Sequence, residues 1–385
     1  MALDSRISLS EMSLRDPTRE TEELLVKGLP YISAIDDQTI LLRDGDVMAS
    51  FAVDGISAST SDENDVNDIA LAMSSLVAQQ MPDVGFYVHR ISTKTTPRLV
   101  DVSEENEFAR AIDQRWQSYI GRSGLRYRTT LVSITIRPSK VIGLWSKLTR
   151  SKSHNKENVQ KRAHRLNQIV SGFMETLAKT APRRMNISEG EWLGLLRSTI
   201  SGEYAPIAPG RNFTPLNDLI SNATVMFHGD SFTVFGSHSG NTKYGAIITL
   251  KDYPAETYAG ILDSLDLAVD MVVTNSFTPG DRIEALQKIQ RVSRQMAVAE
   301  DAARSLQIQL EEAADDQASG RVAFGNHHCT IAIFADSETE LDRTIGTITR
   351  AITALVDQWS ARILRHVQLS LHNSRATMLI EHGPR

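Results

Sequence analysis

The stretch Thr278–Gly320, TPGDRIEALQKIQRVSRQMAVAEDAARSLQIQLEEAADDQASG, reads as one uninterrupted helix with both ends marked. Thr278 is placed as the N-cap and Pro279 at the first helical position. Asp281 follows three residues after the cap, where its carboxylate can return to the cap amide as in a capping box. Gly320 can supply the left-handed C-terminal turn. At about 1.5 Å per residue such a helix extends on the order of 60 Å, too long to be covered by one compact domain. Leu286, Ile289, Val292, Met296, Ala299, Ala303, Leu306 and Leu310 step by three and four and draw a narrow apolar stripe, which suits a long helix hairpin or a partner helix.

Charge runs along this stretch in the sense opposite to the helix dipole. Arg282, Lys288, Arg291 and Arg294 lie early; Glu300, Asp301, Glu311, Glu312, Asp315 and Asp316 lie late. An antiparallel neighbour of the same polarity, a second copy included, would set basic half against acidic half. The alternative is a solvated face whose ion pairs contribute a few tenths of a kcal/mol each. The expected interface is therefore Leu286, Ile289, Val292 and Met296, with Arg291 and Glu311 setting its direction.

With 385 residues, 41% hydrophobic and 23% charged, the chain has an ordinary globular composition and room for two or three domains. A net charge of -6 spread over both signs argues against a general nucleic-acid binder. A single cysteine, Cys329, excludes an intrachain disulfide framework and fits a reducing compartment. The sequence shows neither a secretory leader nor an apolar run long enough to span a membrane.

Residues 1–28 read as a polar arm. Apolar and polar residues alternate on both sides of Asp44-Gly45, a hairpin signal. Thr60 and Glu63 form a capping box before Val66, Ile69, Met73, Leu76 and Val77. VGFYVHRI from Val84 is a strand, a helix carries Phe108, Ile112, Trp116 and Ile120, and RYRTTLVSITIRP from Arg126 is β-rich, so 29–139 is a first α+β subdomain. Residues 140–223 form a basic linker and helical segment. It opens with Val141–Trp145, VIGLW, and eight Lys and Arg between Lys140 and Arg165 stand against the single acid Glu157. Leu144, Trp145, Lys147, Arg150 and Lys152 make a candidate surface for anionic lipid, the alternative being a solvated linker running into an amphipathic helix; nucleic acid is unlikely, for want of interleaved aromatics. A short helix with Trp192, Leu195, Leu196 and Ile200 follows. Residues 224–370 read as a second α+β subdomain, opening with a hairpin at Gly229-Asp230. It resembles a split βαβ, ferredoxin-like sheet with a long helical insertion at 278–320, and its last helix is capped by Ser337 and Glu340. The fold class is α+β, two sheet-plus-helix subdomains.

No catalytic constellation emerges. GxxxxGK[ST], whose amides and lysine cradle phosphate, is absent, and GSHSGNTKYG at Gly236–Gly245 has its glycines and Lys243 at other spacings and reads as a hairpin loop. His327, His328 and Cys329 could suggest zinc or a nucleophile pair, but in a strand only His327 and Cys329 share a face, and no second Cys or His pair stands at ligand spacing. No catalytic, cofactor-binding or metal residue is assigned.

The order LPY at Leu29–Tyr31, RDGDVMASFAVDG, YGAIITLKDYPAETYAGILDSL, NSF at Asn275–Phe277 and SGRVAFGNHHCTIAIFADSETELD resembles the region preceding the motor domain in the CagE/TrbE/VirB family of type IV secretion ATPases. The resemblance covers most of Leu29–Val356. It implies a large oligomeric ATPase, peripheral to the bacterial inner membrane on its cytoplasmic side, energising a secretion or conjugation channel and contacting its inner-membrane components. ATP and Mg belong to the motor domain, so no cofactor is expected in this chain. The alternatives are a membrane-surface adaptor and an unrelated enzyme using the His327–Cys329 strand.

The resemblance also implies continuation into a segment similar to AQLPGN, where this chain has an atypical tail, 371–385, LHNSRATMLIEHGPR. Codons can be written for that tail which, started from their third base, read AQLPGNHAYRAR. The last two bases of each shifted codon are largely fixed by the residues, and its first base is chosen to fit. A frameshift upstream of Leu371 is therefore expected, leaving a tail not shaped to bury Met378, Leu379 and Ile380. The gene sequence decides it: the shifted frame should run on into a phosphate-binding loop, and an immediate stop there refutes it.

Overall fold

The computed structural model describes residues 21–24, 28–56, 62–95, 107–122, 125–138, 152–207, 209, 215–221, 223–236, 240–250, 268–298, 304–320, 322–356 and 363–364. The tail and most of the N-terminal arm lie outside them. After β1 (Thr21–Leu24), the chain forms a meander of β2 (Tyr31–Asp36), β3 (Thr39–Leu42) and β4 (Val47–Val53). Gly45, at φ 83°, makes the expected turn between β3 and β4. Then come α1 (Glu63–Ala78), β5 (Val84–Lys94), α2 (Glu107–Arg122), β6 (Arg126–Ile136), α3 (Lys152–Thr176) and β7 (Pro182–Arg184). Two helices follow, α4 (Glu191–Ser201) and α5 (Leu216–Ile220). A second series runs β8 (Thr224–His228), β9 (Ser231–Phe235), β10 (Lys243–Leu250), β11 (Asp270–Pro279), α6 (Arg282–Val298), α7 (Arg304–Ser319), β12 (Gly325–Ala335), α8 (Glu338–Val356) and β13 (Ile363–Leu364).

Among the described residues, thirteen strands join one sheet in the order β1-β8-β9-β10-β12-β11-β5-β6-β4-β3-β2, with β7 on β4 and β13 on β10. From β8 to β2 that order is a palindrome, two equivalent runs meeting at β5 and β11. The register repeats with it. Val53 pairs Thr130, which pairs Arg90; Leu250 pairs Cys329, which pairs Asn275. Beside them, Val53 pairs Pro182 and Leu250 pairs Ile363. In each run the first and second strands, β4 and β5 or β10 and β11, are both antiparallel to the third, β6 or β12, that lies between them, and a fourth returns beside the first. This is the split βαβ, ferredoxin-like order. The α+β class and the ferredoxin-like second half expected from sequence are found, and the first half follows the same plan.

Helices cover one face of this sheet. Leu166, Val170 and Phe173 of α3, with Leu177 just after it, pack on Ala49, Phe51, Ile134 and Ile136, while Leu341, Ile345, Ile348 and Ile352 of α8 pack on Ile331, Ile333 and Val273. The opposite face wraps around α4, in which every residue from Trp192 to Ser201 is buried. Residues from both ends of the sheet, Tyr31 and Ile40 with Val225 and Phe232, share one core with α4. Chain length demands this curl. Six residues join β1 at one edge to β2 at the other. They reach at most roughly 25 Å, whereas eleven strands laid flat at about 4.8 Å spacing would be roughly 48 Å across.

Gly190 and Gly202, both with positive φ, bound α4. A Cβ on Gly202 would stand 2.4 Å from the Phe334 ring, so Gly202→Ala meets both a left-handed backbone and an overpacked core. It should lower stability by about 2 kcal/mol or more, read as a shift of the denaturant midpoint; an unchanged midpoint would remove this role from Gly202. Arg197 ties α5 to α4 by donating from Nε and Nη2 to the carbonyls of Ile220 and Leu219.

Two local readings change. The single helix over 278–320 is two, α6 and α7, packed together. Thr278 and Pro279 belong to β11, where they pair Asn326 and Gly325, and Asp281 is the cap, its Oδ1 accepting from the amides of Ile283 and Glu284. Pro279 sits at a strand end, where a missing N–H removes little from the ladder. Gly320 has the expected left-handed φ, 75°. The cap of α1 is Asp62, accepting from Asp65 N at 2.8 Å, while Thr60 lies outside the described residues.

Candidate interaction surface and the ionic seam

Between β11 and β12 the chain leaves the sheet as the α6–α7 hairpin. Arg282 donates to Ala318 O, tying the start of α6 to the end of α7. Leu286 and Ile289 are half-buried in the hairpin, Val292 is 38% exposed, and Arg291 and Glu311 are exposed; the side chain of Met296 lies outside the described residues. The basic α6 thus runs beside the acidic α7 of its own chain. The complementarity that the sequence offered to an antiparallel neighbour is present within one hairpin.

At the equivalent place in the first half, between β5 and β6, stands α2. Its Asp113 and Gln117, themselves bonded at 2.8 Å, are half-buried. Phe108, Ile112, Trp116 and Tyr119 point elsewhere, 75%, 53%, 56% and 65% exposed, with the rings of Trp116 and Tyr119 stacked. The sequence placed Phe108, Ile112 and Trp116 on one helix, which is found. Their aromatic content was the signal that this stripe differs from an aliphatic core face.

The ends of β5, β6, β10, β11 and β12 converge in an ionic cluster across the junction of the two halves. Lys243 Nζ lies 2.6 Å from Asp336, 3.5 Å from Asp270 and 3.9 Å from Glu203. Asp270 also accepts from Arg126 and, at 2.7 Å, from the Lys94 amide. The side chains of Lys243 and Asp270 are each 6% exposed. Burial works against the Lys243 ammonium, but the Asp336 hydrogen bond and the surrounding carboxylates outweigh it and hold its pKa above the ordinary value. The Lys243 hydrogen bond in turn holds Asp336 below the usual carboxylate range. Lys243, read from sequence as a loop residue, opens strand β10 instead. At the other end of the junction Arg137 donates to Thr278 Oγ1 at 3.0 Å, Arg162 to Gly45 O at 2.6 Å, and Arg165 to both oxygens of Asp83. Two charges counted in the basic stretch, Arg162 and Arg165, therefore hold the sheet.

Leu144, Trp145, Lys147 and Arg150 lie outside the described residues, and Lys152 opens α3 with its side chain likewise undescribed. Cys329 is 1% exposed beneath α8, and burial pushes its thiol up to about 12. Such a thiol stays protonated at neutral pH and is a poor nucleophile or metal ligand. Burial, then the neighbouring His328, lowers the pKa of His327. Among the described residues no three His, Cys, Asp or Glu side chains gather as metal ligands, and no helix is long and apolar enough to cross a membrane.

Two family models match the chain. That of the type IV secretion system ATPase VirB4/TrbE, N-terminal domain, covers residues 38–141, and that of the CagE, TrbE, VirB family, component of type IV transporter system, covers residues 175–355. Among similar proteins are the type IV secretion system protein virB4 of Bartonella quintana, 24% identical over 83% of this chain and 42% of its own length, and the protein virB4 of Agrobacterium tumefaciens, 24% identical over 85% and 42%. The type IV secretion system protein PtlC of Bordetella pertussis is 21% identical over 85% of this chain and 41% of its own length. The chain spans about two fifths of the length of these relatives. With both halves of the sheet matched in order, the chain belongs to the CagE, TrbE, VirB family of type IV transporter components.

Proposed function

We propose that this chain is the N-terminal docking and oligomerisation region of a type IV secretion ATPase. The match of residues 38–141 to a model described as an N-terminal domain carries this reading. It works at the cytoplasmic face of the bacterial inner membrane, against inner-membrane components of the channel and against copies of itself, with the α2 and α6–α7 insertions as its contact surfaces. ATP and Mg act on the motor portion of such a protein. This sequence has no GxxxxGK[ST] through which amides and a lysine could together hold the β- and γ-phosphates.

The purified chain should therefore show no magnesium-dependent ATP turnover above a blank, and clear turnover would overturn the non-catalytic reading. Sedimentation velocity over a concentration series should show self-association; a monomer throughout would remove the oligomerisation role. A membrane-surface adaptor is the second reading, favoured by the basic stretch after Lys140, and flotation with anionic liposomes separates it.

A further inference from the structure

Strands β5 and β11 are antiparallel neighbours, and each carries a helical insertion at its C-terminal end: α2 after β5, the α6–α7 hairpin after β11. Antiparallel strands send these insertions out from opposite ends of the sheet. Both present apolar side chains to solvent. On α2 these are Ile112 and Trp116, with Phe108 and Tyr119 in the same stripe and the exposed Arg115 at its border. On the hairpin they are Ile283, 67% exposed, and Phe324, 39% exposed, at the base beside the last turn of α7, where the Phe324 amide donates to Gln317 Oε1 at 3.2 Å. Glu311, Glu312 and Asp315 are exposed on α7.

We propose that the α2 stripe of one copy of this chain packs on the acidic α7 side of the hairpin of a second copy, head to tail. The inference rests on the oligomerisation reading above and names the surfaces. Charge selects this pairing. Two α2 stripes facing each other across a twofold axis would bring Arg115 toward Arg115. Two hairpins face to face would gain little, because the basic α6 already has the acidic α7 beside it. Arg115 against Glu311, Glu312 and Asp315 is the pairing of opposite sign left to the two exposed apolar patches. Such a contact joins unlike surfaces, so each copy offers one of each, and repetition gives a ring or an open chain. Covering the α2 stripe would bury roughly 500 Å² on that side, the size of a patch that marks a weak interaction site.

Mixing two single-cysteine variants under mild oxidation tests it. Ile112→Cys and Asp315→Cys, each made in the full chain, should form a disulfide-linked dimer only when mixed, since the native Cys329 is buried. The double variant should give a ladder of higher multiples. Trp116→Glu should weaken self-association at least tenfold with an unchanged circular dichroism spectrum. Association that persists with no crosslink in the mixture, or that survives Trp116→Glu, overturns this pairing and leaves oligomerisation standing; a monomer at every concentration overturns both. Crosslinking by Ile112→Cys alone would make the contact symmetric, against the proposal. Flotation on phosphatidylglycerol vesicles that Trp116→Glu abolishes, without a mixed crosslink, would give α2 to a lipid surface and also overturn it.

Discussion

Asp270→Ala is expected to lower stability by about 3–5 kcal/mol, the usual loss when one partner of a buried ion pair is removed and its counter-charges stay in place. Asp270 is 5% exposed and faces Arg126 and Lys243, whose side chains are 15% and 6% exposed. Its removal leaves Arg126 without this carboxylate and the Lys94 amide without its acceptor, in a setting where water screens little. Lys243 keeps Asp336 and Glu203, which limits the damage on that side. Asp270→Asn should lose less, because an amide oxygen can still accept from the Lys94 amide. Denaturant unfolding of the three proteins gives the order; a loss below about 1 kcal/mol for the alanine variant would reduce the cluster to the weight of a surface ion pair.

His89 supplies a pH-dependent term of similar size. The ring is 6% exposed, its Nδ1 is 2.9 Å from Thr274 Oγ1, and burial depresses its pKa from 6.5 to about 4. The unfolded chain therefore takes up this proton first as pH falls. Stability from a neutral, buried His89 is fully present above pH 6.5, declines as pH drops toward 4, and is lost below that. A shift of this size corresponds to about 3 kcal/mol across the window. His89→Leu should flatten the stability profile between those limits while lowering its plateau by about 1 kcal/mol for the unpaired Thr274 hydroxyl. The same slope in both proteins would show that other groups carry the acid sensitivity.

Local chemistry was legible in the sequence and global closure was not. The turn at Asp44-Gly45, the cap at Ser337 and the left-handed Gly320 follow from rules that act over a few residues, and all three are present. The helix start in 278–320 escaped those rules because pairing with β12 extends β11 through Thr278 and Pro279 and moves that start to Arg282. Trp192, Leu195, Leu196 and Ile200 were legible as a short helix; its burial on all sides results from the curl of a sheet whose edges are far apart in order but close in chain. The repeated plan left little trace in residues, since VMASFAV in β4, buried from Val47 to Ala52, and KYGAIITL in β10, buried at Lys243, Gly245, Ala246 and Ile248, need share only a strand backbone with buried side chains. For the stripe of α2, periodicity gave the face and could not say that its side chains would be exposed.

The palindromic order also bears on how the chain reaches its native state. Within each half, strands close against neighbours nearby in sequence, but the His89–Thr274 contact at the junction joins residues 185 apart. Loop closure over that distance is entropically unfavourable until both halves are ordered, so β5 and β11 should zip last. Until then each half carries a bare edge whose complement is the other half's edge, on the same chain or on a neighbour. Refolding at high concentration should consequently yield domain-swapped dimers joined through β5 and β11, with dilute refolding favouring the closed monomer fold.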